Sequence, residues 1–158
     1  MQLKPIGRIR SPFAHSPGTP IQPCFAGGHT GEAEIFPENA EGLRDLAGFD
    51  RVWLLFWCHR ASDAKLSVVP YRDTVERGIF ATRAPARPNP IGLSCVRLTG
   101  IENNILHLAE VDILDGSPLL DIKPYVPDYD VYPVGRTGWI GERGLDVVAA
   151  DARFEQPR

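Results

Sequence analysis

Residues 77–94 read RGIFATRAPARPNPIGLS and place Arg77, Arg83 and Arg87 on a loop stiffened by Pro85, Pro88 and Pro90. Guanidinium groups are planar forks that fit carboxylates and phosphates. Between prolines, whose φ is fixed, they lose less freedom on binding. One arginine on a turn would simply face water; three on a Pro-Asn-Pro loop between strands point to an anion site. From Arg72 to Arg87, four arginines oppose Asp73 and Glu76, a local balance of +2 (4 − 2) in a chain of net charge −3. A basic patch on an acidic chain fits one specific anionic partner and argues against indiscriminate nucleic-acid binding.

Two further stretches carry chemistry. Asp115-Gly116-Ser117-Pro118 is a tight-turn sequence. It leads into Asp121-Ile122-Lys123-Pro124-Tyr125, where Asp121, Lys123 and Tyr125 share one face if the segment is extended. That trio could be an ion pair closing a barrel, or an acceptor and donors at a reaction centre. Cys58-His59-Arg60 ends an apolar run, so His59 falls at a strand end. Gly27, Gly28 and Gly31 vaguely resemble a phosphate loop. Prolines precede them and a strand-like GEAEIF follows, so they lack the strand and helix of a dinucleotide fingerprint. Cys24, Cys58 and Cys95 are odd in number, without a CxxC pair, and His15, His29, His59 and His107 are scattered. Reduced thiols and no metal centre are expected.

These groups must be positioned by short strands. The 158 residues fit one domain, and a 43% hydrophobic content supports one core. Gly and Pro, 15 of each, fall between β-like runs. Strands are expected over 4–10, 31–36, 51–58, 65–71, 91–101 and 105–114, with a hairpin turn at 102–104. Residues 51–58 are apolar throughout after Arg51, which predicts a strand covered on both faces. In 105–114, Leu106 and Leu108 keep one phase and Val111 and Ile113 the other, a slip that a β-bulge would repair. Short helices are expected over 38–46 and 142–155. The fold class is all-β: a closed or nearly closed small barrel with short helical segments. No apolar run reaches the ~20 residues of a membrane span, and the N-terminus lacks a signal-peptide core. A cytoplasmic protein without a membrane partner is expected.

ATRAPARPNPIGLS together with LDGSPLLDIKPY and PIGRIRSPF resembles the TrmO family, also called TsaA-like, from about Ile6 to Pro127. The resemblance implies a β-barrel methyltransferase that uses S-adenosylmethionine to methylate the exocyclic nitrogen of threonylcarbamoyl-adenosine, just 3′ of a tRNA anticodon. It places the cofactor on Gln22-Pro23-Cys24, His59, Arg60, Arg83, Leu93 and Asp115-Gly116-Ser117. Arg77, Arg87 and Asn89 become candidates for the anionic substrate, and Asp121, Lys123 and Tyr125 for catalysis, with Asp121 as proton acceptor. The family tends to be dimeric, and Trp139 offers an apolar handle. Residues 1–128 would form the barrel and 129–158 a tail docking on it or on a second subunit. Many members continue into a further small domain, whereas about thirty residues follow the motifs here. Two alternatives stay open: a non-catalytic nucleotide- or RNA-binding barrel, or the same cofactor with another acceptor.

Overall fold

The computed structural model describes residues 2–143 and 146–156. Its strands are β1 (Gly7–Arg10), β2 (Thr30–Ile35), β3 (Arg51–Trp57), β4 (Ser67–Val68), β5 (Arg77–Gly78), β6 (Ile91–Glu102), β7 (Ile105–Ala109) and β8 (Pro118–Pro124). Six of them close a barrel in the order β1-β2-β7-β6-β3-β8, all neighbours antiparallel. Closure leaves no sheet edge unpaired.

The period-2 pleat sorts the side chains. In β3, Val52, Leu54 and Phe56 point into the core, while Trp53, Leu55 and Trp57 face outward and are half-buried. The cover expected on both faces is therefore only partial on the outer one. Ile9, Ile35, Val96, Leu98, Leu106, Leu108 and Leu119 complete the interior. Gly92 makes room for an aromatic ring: a Cβ there would stand 2.2 Å from Phe56 Cζ.

The hairpin turn between β6 and β7 is present, with Asn103 at φ 54°. The phase slip has another cause than the expected bulge. β7 ends at Ala109, Glu110 turns through φ 61°, and Val111 and Ile113 then point into the core as Leu106 and Leu108 do. Ladder irregularities lie instead between Leu98 and Gly100 and between Leu55 and Phe56. β7 and β8 stand opposite each other in the six-strand ring, so segment 110–117 must cross the barrel mouth. It closes that mouth as a plug.

Of the expected strand 65–71, only Ser67–Val68 pairs, with Arg77–Gly78. Residues 37–43 form a 3-10 turn instead of an α-helix. The tail holds two short helices, α1 (Pro127–Asp130) and α2 (Trp139–Arg143). The helix expected over 142–155 is mostly not formed; its Leu145 lies outside the described residues. Instead, backbone bonds zip the tail to segment 18–21: Gly18 N–H donates to Ala150 O at 2.9 Å, Ala150 to Thr19 at 2.7 Å and Ile21 to Val148 at 3.0 Å. Phe154 then buries itself against Val68, Ile79, Ala84 and Ala86 in a second, smaller core. Extended pairing wins because this stretch satisfies more donors and apolar surface on the barrel than as an isolated helix.

Candidate functional site at the plugged mouth

The C-terminal ends of β1, β3 and β7 and the N-terminal ends of β2, β6 and β8 share one mouth. The loops leaving it are 11–29, 58–66, 79–90 and 110–117. They carry almost every cofactor position expected from the sequence. Arg83 Nη1 donates to Gln22 Oε1 at 2.6 Å and joins loop 79–90 to loop 11–29. Pro23 is buried in a short 3-10 turn and Cys24 is exposed beside it. His59 Nδ1 lies 3.2 Å from the Ser117 hydroxyl, which is buried. Burial, helped by the Arg60 charge and opposed by Asp115, lowers the His59 pKa, so the imidazole is neutral at pH 7.

The turn is held by the backbone. Gly116 takes φ 75°, and its N–H donates to Ile9 O at 2.9 Å. Asp115 N–H donates to Phe13 O, and its carboxylate accepts from Ser11 N–H at 3.0 Å. A polar groove of about 740 Å³ opens beside this turn, lined by Arg8, Arg10, Glu32, His107, Asp115 and Gly116. It runs on the outer flank of β1, β2 and β7, away from Arg83, and meets the mouth at Asp115–Gly116.

Several arginines have internal work. Arg60 donates to Ala14 O at 2.6 Å and pairs with Glu155 at 3.2 Å. Arg87 Nη1 points at the carbonyls of Ile79, Thr82 and Ala84 at 2.9–3.3 Å, so it clamps its own loop. Arg77 pairs with Asp73 at 2.8 Å and lies over the Trp139 ring, whose N–H donates to Ala81 O. The Trp139 handle is thus docked on its own chain. Asn89 is exposed at the loop tip.

Leu93, 47% exposed, sits on the outer wall opposite Leu55, which also faces Asp121. Asp121 and Lys123 form a 2.8 Å ion pair on that wall, and the Tyr125 ring packs edge-on against Trp53. At ~3.3 Å per residue, Asp121 stands roughly 13 Å down the strand from Ser117, Lys123 roughly 20 Å, and Tyr125 near the far end. Within this chain the mouth and this trio are not brought together. Lys123 therefore does not share a hollow with Arg83 and the 115–116 turn.

Two groups were not singled out by sequence reasoning. Glu155 binds His15 Nδ1 at 3.1 Å and Ser16 N–H at 3.1 Å as well as Arg60, and so pins the tail to two mouth loops. Burial raises its pKa, but those hydrogen bonds and the charges of Arg60 and His15 outweigh it. Asp112 sits in the plug between buried Val111 and Ile113. Its place between Val111 and Ile113, two β-branched apolar residues, was the available signal. No cluster of metal-ligating residues and no helix long and apolar enough to cross a membrane occurs among the described residues.

A family model, tRNA-methyltransferase O N-terminal domain, matches residues 8–131. A probable S-adenosyl-L-methionine-binding protein of Pyrococcus abyssi is 49% identical over 96% of this chain and 83% of its own length. A mouse tRNA (adenine(37)-N6)-methyltransferase is 39% identical over 80% of this chain, which spans 31% of that protein. The crystal structure of TrmO from Pseudomonas aeruginosa superposes with a TM-score of 0.73 at 42% identity, covering 88% of this chain and 62% of that one. The barrel, its plugged mouth and these matches together make the chain a member of the TrmO family.

Proposed function

We propose that the protein transfers the methyl group of S-adenosylmethionine to the exocyclic nitrogen of threonylcarbamoyl-adenosine beside a tRNA anticodon. The observation that carries this reading is the gathering at one mouth of Gln22, Arg83, His59 and Asp115–Ser117. Two relatives, in mouse and rat, bear the name tRNA (adenine(37)-N6)-methyltransferase.

The residues present suit the cofactor chemically. The Arg83 guanidinium offers a partner for a carboxylate, and the Asp112 and Asp115 carboxyls offer partners for cationic groups. Gly116, free of a Cβ at positive φ, lets a ligand approach the backbone. The bound cofactor supplies a methyl group already activated on a positively charged sulfur. The protein's task is then positioning: bringing the acceptor nitrogen in line at ~3–3.5 Å and keeping water out. Neutral His59, fixed by Ser117, can accept a hydrogen bond there without adding positive charge.

We also propose a homodimer through the outer wall of β3 and β6, where Trp53, Leu55, Trp57, Ile91 and Leu93 leave apolar surface uncovered. Asp121 and Lys123 border that wall, so a second copy is the route by which they would meet a mouth. Light scattering of the wild type and of Leu93→Asp tests this; a monomeric wild type ends it. The activity is tested with labelled cofactor and tRNA with and without the threonylcarbamoyl group. Label only in the modified tRNA supports the reading; label in neither refutes it. A binding module is the second reading, favoured by relatives named for S-adenosyl-L-methionine binding alone. Calorimetric heat with the cofactor but no transfer would select it.

A further inference from the structure

We propose that Asp112, at the floor of the mouth, is the group that distinguishes the positively charged sulfonium donor from its neutral thioether product. This rests on the reading that the mouth takes S-adenosylmethionine. The plug crosses the ring between β7 and β8, and its burial alternates, with Val111 and Ile113 in the core and Asp112 and Leu114 less buried. Asp112 thus departs from the core-facing set of Val111 and Ile113 and reaches Ser94 of β6, close to Cys58 and within the influence of Arg83.

Its Oδ1 is fully buried and has no hydrogen-bond partner. A native fold rarely leaves such an atom unsatisfied, because the desolvation cost is not recovered. Near the mouth, Asp115 accepts from Ser11 N–H, and Glu155 is held by His15, Arg60 and Ser16. Among the described residues, Asp112 is the carboxyl that keeps a buried oxygen uncommitted.

The groups around Asp112 do not neutralise it. Ser94 on β6 offers a hydroxyl, and Arg83 acts on it from a distance while bonded to Gln22. Cys58, at the end of β3, is pushed up to about 12 by burial and stays a neutral thiol. Arg87, beyond Cys58, is spent on three carbonyls. Burial raises the Asp112 carboxyl to about 7, against the Ser94 hydroxyl, its own N–H and Arg83. Near neutral pH a positive centre arriving in the mouth draws out its proton, whereas a neutral sulfur does not. The product carries the same amine and carboxylate as the donor, so the difference between the two ligands isolates the charge on sulfur.

The test is calorimetry of the full chain at pH 6.5 with S-adenosylmethionine and with S-adenosylhomocysteine, each in two buffers of different ionisation enthalpy. The donor is expected to release a large fraction of a proton more than the product. Asp112→Asn keeps the shape and one acceptor but cannot ionise. It is expected to abolish that difference and to cut the preference for donor over product about tenfold. His59→Asn is the control for the histidine bonded to Ser117 and should keep the difference. Equal proton counts for the two ligands in the wild type overturn the proposal even if the Asn variant fails to fold. So does an unchanged preference in a folded Asn variant. No heat with either ligand overturns the parent reading of the mouth instead, and this inference with it.

Discussion

Removing the Phe154 ring should weaken cofactor binding without unfolding the barrel. Phe154 is 4% exposed, packs on Val68, Ile79, Ala84 and Ala86, and meets the Tyr71 ring edge-on at 5.1 Å. None of these residues belongs to the barrel core. Ile79, Ala84 and Ala86 are the underside of loop 79–90, which carries Arg83, and the backbone of Phe154 also receives the Ser62 N–H beside Arg60. Phe→Ala in a core costs about 3–5 kcal/mol, and this small cluster near the surface can partly collapse, so about 3 kcal/mol is expected. A loss of that size multiplies the population of the opened loop by roughly a hundredfold. Apparent affinity falls with the fraction that remains closed. Calorimetry with S-adenosylmethionine should show weaker binding in Phe154→Ala, by up to about a hundredfold, the limit reached when the opened loop dominates. Hydrogen exchange should quicken across 79–90 and stay slow in β3 and β6. Equal loss of protection in the barrel strands, or an open loop with undiminished affinity, would refute the idea that the tail holds this site together.

Arg83→Ala should raise the cofactor dissociation constant about ten- to a hundredfold, the range for losing a hydrogen bond to a charged group; unchanged affinity removes Arg83 from the site. Asp112→Asn should change stability with a definite sign. The folded chain holds this proton up to about pH 7 while the unfolded chain releases it near 3.8, so wild-type stability falls as pH rises through that window. Denaturant melts should therefore show the variant gaining on the wild type, by a few kcal/mol as an order of magnitude, at pH 8 and little at pH 4. Glu155→Gln should do the reverse. The Glu155 pKa is lowered in the fold, so its contribution is present above the ordinary carboxylate range and lost as pH falls; the variant should be less stable at pH 7, with the gap closing as pH falls below that range. Asp121→Asn should leave stability within about 1 kcal/mol, since its partner Lys123 is exposed. Slow methyl transfer with normal cofactor affinity is expected of it, and full activity would rule it out as proton acceptor.

The sequence by itself determined five of the six barrel strands, β1, β2, β3, β6 and β7, and the hairpin turn between β6 and β7. Alternation in β1 and β6, the short apolar run of β3 and the left-handed tolerance of Asn103 and Gly116 are local properties, written in residue type and spacing. The motifs also named the mouth residues Gln22, Arg83, His59 and Asp115–Ser117. The sequence could not say which arginines are free, because Arg77 and Arg87 find their partners only when the loop folds back on itself. Nor could it separate Asp121, Lys123 and Tyr125 from the mouth: a shared strand face gives direction, and only barrel closure decides how far along the strand that face lies. The ring order decided the rest. Because β7 and β8 stand opposite each other, the segment between them crosses the opening and carries Asp112 to its floor. The tail became part of the site for a similar reason, since its backbone found unpaired partners at Gly18, Thr19 and Ile21, more than a hundred residues away.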